Sequence, residues 1–280
     1  KEKFKNLLVY DAINKILNKN KILAPRLYTQ RYDKNFIEIE DFGNETVFKT
    51  LKKKGKNKLS YFNRIIKLLI QIQSIKHRKV KNFRNQNYII PKYDKKILIN
   101  EANLFCDWYA KNNLSKLRKK RFCKKFKKII KELTLKLKLK DNIFVHRDFH
   151  VSNLMSVKNQ IGLIDSQDAL IGNKAYDLAS LIDDVRLKTS YSFKEKIFKF
   201  YIKKQKNLDI KKFKNDFEIL SVLRNLKIIG IFTRLALRDR KKNYLRFIPY
   251  TWQLINMRID QNRTFIDLKN LLSQNFKKIK

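Results

Sequence analysis

One short β unit set between two long helical stretches constrains this chain most. The unit covers residues 143–165: the apolar run Ile143-Phe144-Val145 enters it and Ile161-Gly162-Leu163-Ile164 leaves it. Upstream, apolar residues recur at helical spacing over 59–74, 97–111 and 115–137. Downstream, everything after about Ala175 reads as helix to the end. Strands that do not alternate with helices exclude a doubly wound parallel sheet. Near the N-terminus, Phe4, Leu8 and Ala12 form one row of a helix over 4–18, and Val9, Ile13, Ile16 and Leu17 widen its apolar face. Two strand candidates follow, 26–32 and 36–40, joined by the turn Asp33-Lys34-Asn35. Asp41-Phe42-Gly43-Asn44 reads as a loop, a helix is expected near Glu45, and Lys53-Lys54-Gly55-Lys56-Asn57 reads as a linker. This order predicts an α+β chain. Its parts are a small mixed N-terminal lobe, residues 1–44, and a larger, mainly helical lobe, 45–280, with a hinge at 40–44.

The chemistry concentrates in His146-Arg147-Asp148-Phe149-His150-Val151-Ser152-Asn153, followed by Asp165. A carboxylate at Asp148, on a loop, can accept a proton from a hydroxyl. Asn153 closes the same loop and offers a neutral oxygen. A hairpin turning at Lys158-Asn159-Gln160 then returns the chain so that Asp165 faces Asn153. An amide oxygen beside a carboxylate is a hard-oxygen pair suited to Mg²⁺ shared with phosphates. The bland alternative is a turn with a buried Asp and a capping Asn. His146 and His150 stand at i, i+4, but the segment reads as loop and no Glu follows His146, which argues against a zinc pair. Asp41-Phe42-Gly43 spells a kinase metal motif but precedes the loop by about a hundred residues, so Gly43 reads as a plain turn.

Composition excludes some classes. Forty-three per cent of the 280 residues are hydrophobic, enough for a buried core. No apolar run approaches the roughly 18 residues of a membrane span, and the start lacks the apolar stretch of a signal peptide. Residue 1 is Lys, so it is not expected to be the natural start. Cys106 and Cys123 provide neither a disulfide framework nor a CxxC site, and both are expected as small buried hydrophobes in a reducing cytoplasm. Sixty-seven basic against 25 acidic residues give a net charge of +42. Taken alone, that suggests nucleic acid. The excess is mostly Lys, accompanied by abundant Ile and Asn, which is the imprint of AT-rich coding. The densest stretch, 115–140, carries 13 basic residues and one acid, Glu132, but its apolar residues keep helical spacing. That describes a core helix with a solvated face. No aromatic-interleaved nucleic-acid motif accompanies it, so nucleic acid is not the expected partner.

HRDxxxxN is the catalytic-loop pattern of protein kinases, and the wider context resembles the aminoglycoside phosphotransferase and choline kinase superfamily. The likeness covers about residues 5–255 and is closest to the anomeric N-acetylmuramate/N-acetylglucosamine kinases of cell-wall recycling. His146 to His150 with Asn153-Leu154-Met155 carry it. It continues through Ile164-Asp165-Ser166-Gln167-Asp168-Ala169, Gly172 and Tyr176-Asp177-Leu178-Ala179-Ser180-Leu181. Ile37-Glu38-Ile39-Glu40-Asp41-Phe42-Gly43 resembles the hinge strand. Glu101 with Phe105, Trp108 and Tyr109 resembles the substrate-lobe helix, and Gly230-Ile231-Phe232-Thr233-Arg234-Leu235 with Arg238-Asp239 the late helix.

The resemblance implies a protein-kinase-like two-lobe fold with a truncated N-lobe. It implies Asp148 as catalytic base, Asn153 and Asp165 as Mg²⁺ ligands, and Glu40, Asp41 and Phe42 as hinge backbone for the adenine of ATP. Gln167 and Asp168 would lie by the acceptor, His150 on the pocket wall, and His146 and Asp177 would brace the loop. Asp177 also reads as a plain N-cap. Arg147 fits either an acidic ligand group or a neighbouring carboxylate. Trp108 and Tyr109 fit either core or a sugar-stacking wall. Arg234, with Arg238, fits either the lactyl carboxylate of muramate or solvent. The implied reaction is ATP-dependent phosphorylation of the C1 hydroxyl of an N-acetylated amino sugar in the cytoplasm, with no membrane partner. Other expected acceptors are an aminoglycoside or a choline-like or homoserine-like alcohol; a pseudokinase or a basic nucleic-acid binder are the non-catalytic alternatives. Two departures stand out. No GxGxxG or strand lysine precedes the first helix, so about 50 residues of upstream strand are expected by comparison with a full small lobe. Ser166 replaces the aromatic usual after the metal Asp, which is expected to loosen packing.

Overall fold

The computed structural model describes residues 2–53 and 57–276. In chain order the helices are α1 (Glu2–Lys19), α2 (Val47–Lys52), α3 (Lys58–Gln73), α4 (Lys95–Leu104), α5 (Lys111–Asn113), α6 (Lys116–Leu135), α7 (Tyr176–Ile182), α8 (Tyr191–Lys203), α9 (Ile210–Leu237), α10 (Ile248–Ile259) and α11 (Ile266–Asn275). The strands are β1 (Leu27–Arg31), β2 (Phe36–Ile39), β3 (Lys79–Lys81), β4 (Asn87–Ile89), β5 (Asp141–Val145), β6 (Leu154–Val157), β7 (Gln160–Leu163) and β8 (Leu170–Asn173). They pair as antiparallel two-stranded sheets: β1 with β2, β3 with β4, β5 with β8, and β6 with β7. Among the described residues, no helix is long and apolar enough to cross a membrane.

The chain divides into two compact units. The first holds residues 1–92 and 140–207, the second 93–139 and 208–280. Compactness therefore divides the chain elsewhere than the lobe boundary expected at residue 44.

In the first unit, α1 buries Ala12, Ile13, Ile16 and Leu17 on one face. It ends where Lys21 enters the left-handed region (φ 59°) and the Ile22 amide bonds back to the Leu17 carbonyl at 3.0 Å. That geometry usually recruits glycine. The β1–β2 hairpin turns through Asn35 at φ 59°, as the Asp-Lys-Asn composition suggests. α3 buries Phe62, Ile65, Ile66, Leu69 and Ile72, a helical row that starts at the Asn57 cap. The linker expected at 53–57 falls partly on residues 54–56, outside the described residues.

Two helix boundaries shift, and the stretch between α3 and α4, for which the sequence predicts no element, contains the β3–β4 hairpin. Asn82 builds that turn: its Oδ1 accepts the Arg84 and Gln86 amides at 2.9 and 3.1 Å. Strands of three residues are too short to display a period of two. The helix expected near Glu45 begins at Val47, because Thr46 caps it through the Lys49 amide. The helix expected over 97–111 begins at Lys95 and changes at Phe105 to a single π-helical turn, Phe105–Ala110.

The second unit is helical. Phe105 of that π turn packs among Phe122 and Phe126 of α6, Trp252 of α10 and Phe276, with ring centroids 5.5 to 6.0 Å apart. α9 is the axial element. It is capped by Asp209 through the Lys212 amide and is apolar on almost every face. It lies tight against α4 at Gly230, where an added Cβ would lie 2.4 Å from the carbonyl carbon and oxygen of Leu104. Gly230→Ala must push two helices apart and is expected to cost about 1–3 kcal/mol, read as a lower urea midpoint. An unchanged midpoint would show that the crossing is wider than described.

Candidate active site

β5 delivers the loop that starts at His146. Its partner β8 is not apparent in the sequence, but it pins β5 through Val145 and Leu170 and leads directly into α7. The second residue of α7, Asp177, is 1% exposed. Its carboxylate turns back to the loop: Oδ2 accepts the His146 amide at 2.7 Å and Oδ1 the Arg147 amide at 3.0 Å. It does not cap its own helix, whose N-cap is Ala175 without a side-chain bond. These bonds hold Arg147 at φ 73°, a left-handed conformation costly for arginine. The Arg147 guanidinium reaches the Asp168 carbonyl at 3.2 Å and lies 3.7 Å from its carboxylate.

Inside the loop, the Asp148 carbonyl accepts the His150 amide at 3.0 Å and the Asn153 side-chain amide at 3.1 Å. The β6–β7 hairpin follows, as the sequence predicts, with the Ile164 amide on the Asn153 carbonyl at 3.1 Å. Asp165 is thereby brought opposite Asn153, whose Nδ2 stands 3.4 Å from the Asp165 carboxylate. Asp165 takes a left-handed φ of 61°, which Asp tolerates better than most residues. Its other carboxylate oxygen accepts Gln167 Nε2 at 2.8 Å.

His146 is fully buried. Its Nε2 lies 3.1 Å from the Ile164 carbonyl, which can only accept, so Nε2 carries the proton. Burial holds its pKa below the ordinary 6.5, against the opposing pull of the Asp148, Asp165 and Asp168 carboxylates. A depressed imidazole pKa favours the fold above about 6.5, and that stability is lost as pH falls, because the unfolded state binds the proton first. Wild type should therefore lose more of its urea midpoint than His146→Gln between about pH 7.5 and about pH 5.5. Equal losses would show that His146 does not titrate against burial.

Other contacts were not evident from local sequence. Ser166 is fully buried, and its hydroxyl donates to Asn14 Oδ1 on α1 at 2.5 Å, while Asn14 Nδ2 donates to the Pro25 carbonyl at 3.1 Å. Ser166 therefore ties the loop to α1, and the looseness expected there is not seen. Nearby on α1, burial raises the Tyr10 pKa, the Asn14 side chain offsets part of this, and the Asp165 charge adds to it. Tyr88 on β4 is raised by burial and by the Asp168 charge. Phe42 lays its ring against Gly162 of β7, where a Cβ would be 2.7 Å from the ring. An isolated glycine inside a strand signals such a close approach. Glu40 pairs with Arg26 by backbone and side chain, and Asp41 Oδ1 accepts the Gly43 amide at 2.7 Å.

The first unit thus contains Glu40, Asp41, Phe42, the 146–153 loop, Asp165, Gln167, Asp168 and Asp177, with His150 buried in the loop. Trp108, Tyr109 and Arg234 belong to the second unit. There Trp108 is half-buried. The Tyr109 ring sits 5.1 Å from Phe105 and 5.4 Å from Phe276, and its hydroxyl accepts Trp252 Nε1 at 3.3 Å. Arg238 is occupied by Asp239 at 2.7 Å, and the Arg234 Nε is buried without a partner.

A profile of the phosphotransferase enzyme family matches residues 7–207. The N-acetylmuramate/N-acetylglucosamine kinase of Pseudomonas aeruginosa is 28% identical over 256 residues, covering 89% of this chain and 72% of that protein. The protein of the same name from Neisseria meningitidis serogroup B is 27% identical over 232 residues, covering 81% and 67%. Among solved structures, the gentamicin complex of APH(2")-IIa superimposes with a TM-score of 0.62 at 16% identity, over 90% of this chain and 83% of that one. The fold is therefore kinase-like and α+β. The profile spans the catalytic-type loop, the Asn153–Asp165 pair and the Asp177 carboxylate alike, and the chain belongs to the phosphotransferase enzyme family as a small-molecule phosphotransferase.

Proposed function

We propose that the chain transfers the γ-phosphoryl group of ATP to the anomeric hydroxyl of an N-acetylated amino sugar, N-acetylmuramate or N-acetylglucosamine, in cytoplasmic peptidoglycan recycling. The convergence of Asp148, Asn153 and Asp165 around one loop carries this reading, and the names of the curated relatives support the acceptor.

The donor set suits Mg²⁺. Asn153 turns its Nδ2 to the Asp148 carbonyl and, at 3.4 Å, to one Asp165 oxygen, which leaves Oδ1 for a cation, and a cation would take that Asp165 oxygen in place of the long Nδ2 contact. Among the described residues no cluster of three or more His, Cys, Asp or Glu could hold a metal. Two protein oxygens are nevertheless enough for a cation that keeps waters and phosphate oxygens as its other ligands. Bound there, Mg²⁺ would offset charge on the transferring phosphoryl group.

The chain's own residues do the rest. Asp148 accepts the proton of the C1 hydroxyl as its oxygen bonds to phosphorus, and the bond to the β–γ bridging oxygen breaks to release ADP. Asp177 fixes the loop that presents Asp148. The backbone of Glu40, Asp41 and Phe42 meets adenine. On the acceptor side stand Arg147, His150, Gln167 and Asp168 of the first unit, while Trp108, Tyr109 and Arg234 are sugar-contact candidates by family resemblance alone.

The test is ADP release from Mg-ATP with N-acetylmuramate, N-acetylglucosamine, kanamycin or choline as acceptor. Sugar-dependent ADP, with phosphorus on C1 by NMR, is the expected result. ADP formed only with kanamycin or choline, or phosphate on another hydroxyl, would overturn the proposed acceptor.

A further inference from the structure

Three cations of the described residues are almost wholly buried: Lys194, Arg224 and Arg258, at 3, 4 and 6% exposure. Lys194 donates to the Ile182 carbonyl at 2.6 Å and lies 3.3 Å from the Asp183 carboxylate. Arg258 stacks over the Phe217 ring, 4.8 Å from its centre. Arg224 has no counterpart to either arrangement. Among the described residues it makes no hydrogen bond, ion pair or ring contact, and its Nη1 is sealed from solvent without an acceptor. A guanidinium cannot shed its proton to escape this, as a lysine can. An unpaired buried charge is among the most destabilising features a fold can carry.

Its surroundings deepen the imbalance. Lys227, one turn further along α9, is matched by Glu101 of α4 at 2.9 Å, and Glu101 also accepts the Tyr93 hydroxyl. That carboxylate is committed. One positive charge remains on this stretch of α9, and it sits on a planar fork.

We propose that Arg224 is a carboxylate-binding site of the second unit. A single negative charge with two coplanar oxygens balances the remaining charge and can bond in parallel with the guanidinium, whereas a phosphate dianion would reverse the imbalance. The carboxylate belongs either to a free small acid or to an acid-bearing acceptor. The second source rests on the kinase reading above, since N-acetylmuramate carries a carboxylate that N-acetylglucosamine lacks. Arg224 was not distinguishable in the sequence, where it is one arginine of a long apolar helix.

Calorimetric titration at fixed ionic strength tests this with sodium D-lactate, N-acetylmuramate and N-acetylglucosamine. Wild type should bind lactate at one saturable site, and Arg224→Met should weaken that binding at least tenfold. Wild type should favour N-acetylmuramate over N-acetylglucosamine at least tenfold, and the variant should equalise them by losing only the former. Without any anion, Arg224→Met should melt at a higher temperature than wild type, because an uncompensated charge has been removed. Lactate binding that depends on Arg224, with the two sugars bound equally, identifies a free acid as the ligand. If no sugar binds or reacts, the acceptor reading fails while the lactate arm still decides the site. Lactate binding unaffected by the substitution in the folded variant would overturn the proposal. Should Arg224→Met not fold, Arg224→Lys takes its place, and lactate binding as tight as wild type's would overturn the proposal equally.

Discussion

Asp148→Asn is expected to lower kcat by about three orders of magnitude, within the 10²–10⁴ range of a positioned general base. The substitution changes one oxygen to NH₂ and nothing else of similar size. The His150 amide and the Asn153 side chain bond to the Asp148 carbonyl, which the substitution leaves in place, so those two contacts survive. The melting temperature and the nucleotide affinity should stay near wild type. Because the proton moves only as the acceptor attacks, kcat and kcat/KM should fall together. Turnover at the wild-type rate in a folded Asp148→Asn protein would remove Asp148 from the mechanism.

The second large effect is on stability. Asp177→Ala is expected to cost about 2–4 kcal/mol in urea unfolding, because it leaves one buried and one part-buried amide without an acceptor, at about 1–3 kcal/mol for a buried one. The same amides hold Arg147 in its left-handed conformation, so the loop should relax even in molecules that remain folded. kcat should then fall although Asp177 touches no reacting atom. Asp177→Asn retains one acceptor and should fall between wild type and alanine on both scales. A loss of kcat with no loss of stability would mean that Asp177 acts on substrate directly.

The parts of the site legible in the sequence are those whose chemistry is local. Asp148 and Asn153 must share one loop, and Asp165 must return on a hairpin, so their spacing shows in the chain. The hairpin itself was visible because Leu154 to Val157 and Ile161 to Ile164 are apolar runs flanking a polar turn. β3, β4 and β8 were not visible, because three or four residues carry too little pattern to outweigh the helical stretches around them. The π turn at Phe105 was hidden for a different reason: its residues are good helix-core residues, and only the crowding of Phe105 among Phe122, Phe126, Trp252 and Phe276 distinguishes it. Arg224 is the extreme case. Its isolation depends on the absence of partners from every neighbouring element, which no pattern within α9 records.

The bond between Ser166 and Asn14 joins residues 152 positions apart. The first unit is assembled from two stretches of chain, with residues 93–139 looped out between them. Ser166 therefore reaches Asn14 only after that long loop has closed, and closure entropy makes such contacts slow to form. Local elements such as the β6–β7 hairpin, which sets Asp165 opposite Asn153, can form early, while the anchoring of that segment through Ser166 waits on α1. During refolding, helical content should return before phosphoryl transfer does, and the interval between them reports the docking of the N-terminal helix.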